Sequence, residues 1–317
     1  LITNGITVRS TNGPAVTMVQ RTGAGYLRVF QLDSSASGAR LEGFTIRNGY
    51  TFTDYDGGAG IKMWAGTVSN CVIRDNQAKS GGNITKGAGV FIMGGTLTHC
   101  TIVSNSCYVY WVGQGGGVFM SNGVVQNCVI TNNMAGGVQA GDGAAGVHMV
   151  DGTVRSCLIA GNLEGGGMVV SSGTVENCTV AGNIGGYRLY SGLRLFGGTV
   201  RNTIVYGNQG GFAPYNDLTY ASVSNSGGTF EYSVAEETIA GTANSTSDPK
   251  FIDPTRMDYR LADIENGARN YGVTLGDIAA RRTNAPELQK ASLVMRAQSY
   301  RRRIFAEFEK VSELLLP

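Results

Sequence analysis

Residues 89–105 read GVFIMGGTLTHCTIVSN, and the pattern of this stretch recurs six times along the chain. In each copy a cysteine, or a threonine in the last copy, follows a glycine by eleven residues and precedes an asparagine by five. The anchor positions are Cys71, Cys100, Cys128, Cys157, Cys178 and Thr203, and the asparagines are Asn76, Asn105, Asn133, Asn162, Asn183 and Asn208. Successive copies are 29, 28, 29, 21 and 25 residues apart, and all of this variation falls between one asparagine and the next glycine.

Self-similarity at this period predicts a repeat array. Within each copy three short runs alternate apolar with variable residues, as strands do, and glycine or asparagine turns separate them. The shortest copy has room for three strands of about four or five residues, but not for the four longer strands of a propeller blade. Within the repeat array, glycines also interrupt every window long enough to form a helix. We therefore expect an all-β, single-stranded parallel coil with three short strands per turn and about eight or nine coils.

Composition excludes several classes of function. A net charge of +2 is too small to indicate a nucleic-acid or membrane-surface partner, and no apolar run approaches the length of a membrane span. The only histidines, His99 and His148, occupy different repeat positions, so the sequence predicts no metal site and no cofactor. The chain opens on strand-like residues without a start methionine or a signal peptide, and we expect the natural chain to be longer upstream.

The cysteine and asparagine columns have a structural explanation. Stacked coils place equivalent residues about 4.8 Å apart, so the five repeat cysteines would form a ladder of small, buried thiols. A disulfide between neighbouring coils is the alternative. Asparagine amides stacked in the same way can hydrogen-bond to one another along the axis, and asparagine also tolerates left-handed backbone. Cys107 lies outside the register.

At this point the sequence resembles a known family. The unit Gly-x-Gly-Val … Gly-Thr-Val-x-Asn-Cys-x-Ile-x-x-Asn resembles the coils of right-handed, pectate-lyase-like parallel β-helix proteins of bacterial secreted and surface polypeptides. Residues 43–49 resemble their entry coil, and residues 248–254 and 258–261 resemble their closing segment, which becomes less similar through residue 272. The resemblance covers residues 1–275, and it implies a right-handed β-helix with regular coils over about residues 43–208 and an irregular closing region over 209–275.

The composition changes after Gly276. Residues 286–317 contain no glycine, and their apolar residues recur at steps of three and four, which predicts an amphipathic α-helix. Residues 276–317 are therefore expected to form a helical C-terminal tail outside the β-helix.

Aromatic residues supply the candidate binding site. The middle positions of the strands that follow the lead glycines would face outward, and they place Phe91 beside Phe119, with Trp64 near by. The insert between two copies is the most aromatic segment of the chain and contributes Tyr108, Tyr110 and Trp111. Exposed aromatic patches mark binding sites or interfaces. The alternative is that the insert folds over Phe91 and Phe119 and forms a satellite core.

The outward column after the cysteine is too apolar to be bare. Its apolar members are Val72, Val129, Leu158 and Ile204. We expect either the C-terminal helix or another subunit to cover this column, with the helix favoured.

Two functional hypotheses follow. The first is a non-catalytic extracellular or cell-surface protein that binds glycan, acts in adhesion, or assembles with itself end to end or through its tail. The second, suggested by the family resemblance, is a polysaccharide lyase or glycosidase. The outward charged column Arg155, Glu176 and Arg201 could serve such an enzyme, but a surface ion-pair ladder accounts for it better. Partners would then be a polysaccharide or a second copy of the chain.

Overall fold

The computed structural model describes residues 1–52, 56–82, 84–109, 112–136, 143–186, 190–210 and 221–261. In these ranges the only helix is a single 3-10 turn, Pro254–Arg256. Accordingly, no described helix is long or apolar enough to span a membrane. The predicted C-terminal helix lies outside the described residues.

Three parallel sheets form the body of the molecule, and the chain visits them in the order A, B, C in every turn. Sheet A contains Phe30–Leu32, Ile61–Met63, Val90–Ile92, Val118–Met120, Val147–Met149, Met168–Val170, Tyr190–Leu195 and Ala221–Asn225. Sheet B contains Thr7–Arg9, Arg40–Glu42, Thr67–Ser69, Thr96–Thr98, Val124–Gln126, Thr153–Arg155, Thr174–Glu176, Thr199–Arg201 and Thr229–Glu231. Sheet C contains Met18–Gln20, Thr45–Arg47, Val72–Arg74, Thr101–Val103, Val129–Thr131, Leu158–Ala160, Thr179–Ala181, Ile204–Tyr206 and Val234–Ala235.

The fold is a parallel β-solenoid with three strands per turn, as the repeat spacing predicts. About seven turns are regular, fewer than the eight or nine expected. The difference lies at the ends. The first strands of sheets B and C form an incomplete turn, and the last turn ends on a two-residue strand, Val234–Ala235.

One continuous core fills the solenoid. The middle residues of sheets B and C and the outer residues of sheet A point into it, so Leu97, Ile102 and Ile92 are fully buried in a single turn. The five repeat cysteines line the same core, and all six cysteines are buried free thiols. The thiol interpretation is therefore confirmed over the disulfide alternative.

An asparagine ladder runs along one corner of the solenoid. The side-chain oxygen of Asn133 accepts hydrogen bonds from the backbone nitrogen and from the side-chain nitrogen of Asn105, both at 3.0 Å. The Asn133 amide in turn donates to Asn162 at 3.0 Å. The same contacts repeat from Asn76 to Asn208, which satisfies polar groups that would be costly to bury alone.

The left-handed residues are not the ladder asparagines, contrary to the simplest reading of the sequence. Positive φ angles occur at the residue before the cysteine slot and at the residue before the ladder asparagine. The first set is Asn70, His99, Asn127, Ser156, Asn177 and Asn202, and the second is Asp75, Ser104, Asn132, Gly161, Gly182 and Gly207. These positions turn the chain at two corners, which leaves the ladder side chains free to stack.

The inserts between asparagine and glycine build a fourth sheet. We call it the insert sheet; it contains Tyr50–Phe52, Gln77–Lys79, Ser106–Tyr108 and Met134–Gly136, all parallel. A further parallel pair is formed by Ile84–Lys86 and Val112–Gln114. In the sequence, each of these strands follows a strand of the insert sheet and precedes a strand of sheet A. Cys107 packs with four alanines in a small core behind the insert sheet.

The C-terminal end of the solenoid is closed by residues 237–247. The Glu237 carboxylate accepts hydrogen bonds from the backbone of Ser222 and Val223, the last strand of sheet A. The Asn244 side chain bonds to the Ser233 nitrogen at 3.2 Å and to the Phe230 carbonyl at 2.8 Å. These contacts occupy backbone groups that an open sheet edge would leave unpaired.

An antiparallel hairpin follows, Phe251–Asp253 with Asp258–Leu261, and packs on the outer face of sheet C.

Candidate binding surface

Phe91 and Phe119 lie side by side on the outer face of sheet A, with ring centroids 5.0 Å apart. They are nevertheless only 6% and 2% exposed. The Lys86 ammonium lies over Phe119 at 4.8 Å, and the His148 ring stacks on its other side. The expectation that both rings are available to a ligand is therefore wrong. Both rings are buried, with Lys86 and His148 packed on Phe119.

Trp64 is half-buried at the edge of this face and belongs to a charged cluster. The Lys62 ammonium lies 4.6 Å from the Trp64 ring and 5.2 Å from the Phe91 ring. It also contacts the Asp56 carboxylate at 2.5 Å, and Arg28 binds the same carboxylate at 3.1 Å. Burial acts to raise the pKa of Asp56, but the hydrogen bond from Lys62 and the charge of Arg28 hold it below its usual range. Asp56 is therefore ionised near neutral pH.

The outward apolar column of sheet C is covered at two of its positions by the C-terminal hairpin. Leu158 packs with Tyr259 and Met257 of the hairpin, and Ile204 packs with Phe251 and Leu261. Val129 is also buried, whereas Val72 is partly exposed. The hairpin, a nearby segment of the same chain, therefore covers Leu158 and Ile204 with aromatic and aliphatic side chains, while the predicted helix lies outside the described residues.

The insert sheet carries the exposed aromatic rings. Phe52, Lys79 and Tyr108 are direct neighbours on three adjacent strands. The middle residue of each strand alternates with them, and Cys107, the middle residue beside Tyr108, faces the small core. Phe52, Lys79 and Tyr108 therefore point outward. Phe52 is 43% exposed and Tyr108 is 52% exposed. Of the predicted patch, only Tyr108 thus combines exposure with a place in a continuous surface, while Tyr110 and Trp111 lie outside the described residues.

Two tyrosines extend this surface. Tyr26, 62% exposed, stacks on Phe52 with centroids 5.4 Å apart and contacts Tyr50 at 5.2 Å. Two cations approach the Tyr50 ring, Arg21 and Lys79, each at 5.6 Å from its centroid. We call Tyr26, Tyr50, Phe52 and Tyr108 the aromatic surface.

Sequence reasoning missed most of the aromatic surface. Tyr26, Tyr50 and Phe52 precede the first full repeat, where no register is available to align them with Tyr108. The usable signal was that residues 50–52 directly follow Gly49, just as residues 77–79 follow Asn76 and residues 106–108 follow Asn105. Counting from the entry coil would have placed Phe52, Lys79 and Tyr108 in one column.

On the outer face of sheet B, Glu176 is held in an ion pair. Arg201 binds Glu176 through two nitrogens, at 2.7 and 3.0 Å, whereas Arg155 binds Gln126 at 2.8 Å. Of the Arg155–Glu176–Arg201 ladder that the sequence favoured, only the Glu176–Arg201 pair is therefore present as an ion pair. In the described ranges, no group of three or more His, Cys, Asp or Glu residues could hold a metal ion.

Comparison with known proteins points to one family. Residues 96–251 match the family model described as a right-handed β-helix region. Over these residues the solenoid is similar to the right-handed β-helix family. No curated protein and no solved structure matched the chain. The match includes the Tyr108 strand of the insert sheet, whereas Tyr26 and Phe52 precede it.

Proposed function

We propose that this β-helix protein is a non-catalytic glycan-binding protein of the cell exterior, and that it holds its ligand on the aromatic surface. The single observation that carries the proposal is the exposed stack of Tyr26 on Phe52, in line with Lys79 and Tyr108. Sugar rings present apolar C–H faces that stack on aromatic rings, while their hydroxyl groups remain in water.

The spacing of the aromatic surface also suits a sugar chain. Neighbouring strands are about 4.8 Å apart, close to the length of one hexose unit in an extended chain. Phe52 and Tyr108 are two strands apart, so each could contact a different sugar of the same chain. The parallel sheet fixes this spacing rigidly, and such preorganisation reduces the entropy that binding costs.

Hydrolysis or elimination is the alternative for a β-helix of this kind. The most concentrated set of charged groups on the outer face of sheet A is Arg28, Asp56 and Lys62. Asp56 has a lowered pKa and two cationic partners, so it is poorly suited to act as a general acid. A binding role therefore fits this arrangement better than a carboxylate pair of the glycosidase type.

Self-assembly receives less support at the C-terminal end. Glu237 and Asn244 already occupy the edge groups of the final turn, as described above. A second β-helix could stack there only after residues 237–247 had been displaced. We therefore place adhesion through glycan before assembly into a filament.

A glycan array with the intact protein tests the proposal. Binding should be lost or reduced by roughly tenfold in the variants Phe52→Ala and Tyr108→Ala, because each removes one stacking ring. Tyr232→Ala is the matched control, since Tyr232 is 45% exposed near the opposite end of the solenoid. Release of shortened or unsaturated sugars from a bound polysaccharide would show that the protein is an enzyme and would contradict the proposal. So would binding that is unchanged in both aromatic variants.

A further inference from the structure

We infer that the glycan held by the aromatic surface is an acidic polysaccharide, one whose sugars carry carboxylate or sulfate groups. This inference rests on the proposed function and names its ligand class. It is carried by two cations, Lys79 and Arg21, that lie beside these rings and form no ion pair with any carboxylate of the described residues.

Lys79 occupies the centre of the surface. It pairs with Phe52 on one side and with Tyr108 on the other, and its ammonium lies 5.6 Å from the Tyr50 ring centroid. In the part of the chain that the structure describes, Lys79 forms no ion pair, in contrast to Lys62 with Asp56 and Lys250 with Asp248. An ammonium group placed between two exposed rings is therefore available to an anionic group on a sugar that stacks there.

Arg21 flanks the surface on the Tyr50 side. Its guanidinium is held by backbone carbonyls: Nε donates to Asn48 at 2.8 Å and Nη1 donates to Gly25 at 2.9 Å. These neutral acceptors fix the position of the charge without cancelling it. Within the described residues Arg21, like Lys79, has no acidic partner at ion-pair distance.

Charge complementarity therefore points to an anionic ligand. The two cations both approach the Tyr50 ring, each at 5.6 Å from its centroid. A sugar stacked on Phe52 or Tyr108 would place its acidic substituent at the rim of the ring, where Lys79 can reach it. A charge-assisted hydrogen bond of this kind is roughly twice as strong as a neutral one, and a neutral polysaccharide would leave it unused.

Single-stranded nucleic acid also combines stacking with negative charge, but the observations favour sugar. Proteins that hold single strands line an extended groove with cations that follow the phosphate backbone. Here two cations lie among four rings, and the whole chain has a net charge of only +2. The aromatic rings also stack on one another, Tyr26 on Phe52, which presents a flat platform rather than separated slots for bases.

The test uses the intact protein and a set of acidic polysaccharides, each paired with its carboxyl-reduced or desulfated counterpart. One such pair is a β-1,4-linked oligoglucuronate and the cello-oligosaccharide of equal length, which differ only at C6. Binding is measured by affinity electrophoresis and calorimetry, with a single-stranded oligonucleotide as a further ligand. We expect acidic members to bind at least tenfold more tightly than their neutral counterparts, and salt to weaken that binding.

Variants separate the charge from the rings. Lys79→Gln should lower the affinity for acidic members by roughly tenfold and leave the melting temperature unchanged, because Lys79 has no ion pair to lose. Lys250→Gln is the control lysine at the other end of the molecule. Arg21→Gln is read only after its melting temperature is known, since Arg21 also bonds to backbone carbonyls.

The outcomes distinguish this inference from the function on which it rests. Equal binding of acidic and neutral members, with loss in Phe52→Ala, would overturn the acidic class but keep glycan binding. Binding of the oligonucleotide alone would overturn both, and so would binding of no ligand in the set. An unchanged affinity of Lys79→Gln for acidic members would contradict the inference even if the acidic preference were present.

Discussion

A Cβ atom built on Gly182 would lie 1.9 Å from the hydroxyl oxygen of Tyr259. The hairpin therefore docks on sheet C only because this corner of the solenoid carries no side chain. One turn earlier, Gly161 gives the same room to Met257, whose Cε would lie 2.8 Å from an added Cβ. Gly161 and Gly182, in successive turns, thus form the docking site, or seat, of the hairpin.

The variant Gly182→Ala should release the hairpin. The added methyl group cannot coexist with Tyr259 in its present position, so the contacts with Leu158 and Ala181 would be lost as well. Trypsin should then cleave at Arg256 and Arg260 faster than in the parent protein, as followed by mass spectrometry.

Gly207→Ala is the matched control for this experiment. Gly207 has the same left-handed backbone, with φ of 66° against 60° at Gly182, but nothing lies within 4 Å of its added Cβ. Both variants bear a conformational cost of about 1 kcal/mol, and only Gly182→Ala should expose the hairpin. Equal cleavage in the two variants would show that the seat does not hold it.

The asparagine ladder should be sensitive at any inner rung. Asn133→Ala removes the acceptor for two Asn105 nitrogens and the donor to Asn162. Buried polar groups left unpaired in this way cost about 3 kcal/mol together. Chemical denaturation should show that loss, while Asn122→Ala, in an exposed turn, should change stability by less than about 0.5 kcal/mol. A loss no larger than that of the control would contradict the role of the ladder.

The cysteine ladder should resist alkylation in the folded protein. Burial raises the pKa of the Cys100, Cys128, Cys157 and Cys178 thiols well above their usual value, and it raises that of Cys107 to about 11. The reactive thiolate is therefore scarce at mildly alkaline pH. Intact mass after iodoacetamide should show no modification without denaturant and six modifications with it.

Cys71 is the exception within the ladder. A hydrogen bond from the Cys100 thiol, partly opposed by burial, holds the pKa of Cys71 below its usual value. Any slow reaction of the native protein should therefore begin at Cys71. First modification at Cys128, in the middle of the stack, would contradict this order.

Acid should weaken the contact between the first inserts and sheet A. The folded pKa of Asp56 is lowered below 3.8, so its ionised form contributes stability above that pH and the contribution disappears as pH falls through the folded pKa. The difference in denaturation midpoint between the parent and Asp56→Asn should therefore be present at pH 7 and shrink in strong acid. A difference that grows as the pH falls would reverse the assigned sign.

Much of the fold could be predicted because the positions that stay constant in the repeat are those that are buried or turn the chain. The glycine, cysteine and asparagine positions all face inward or turn the chain, and stacking forces the same choice in each turn. Handedness came from family resemblance, whereas the three-strand turn came from spacing alone. The ends were less predictable, because Glu237 and Asn244 cap the last turn by contacts that no repeat encodes.

The binding surface was harder to predict for a physical reason. Alternation shows that Phe91 and Phe119 point away from the main core, but it cannot show that both rings are nevertheless buried, with Lys86 over Phe119. The exposed rings instead depend on pairing between inserts of unequal length. Phe52 and Tyr108 are separated by 56 residues in the chain and by two strands in space, and no local pattern joins them.

The turns differ in length only between the ladder asparagine and the following glycine, with steps from 21 to 29 residues. At every other corner the residues stack on equivalent residues of the turns on both sides. An insertion there would therefore disrupt the packing of the neighbouring turns as well. The variable corner is different, because an insertion adds to the insert sheet and leaves the cysteine and asparagine columns in register. Insertions at this corner can therefore change the insert sheet without altering the three sheets of the solenoid that carry it. A peptide segment inserted at the same corner in the laboratory should likewise leave the cysteine and asparagine columns in register.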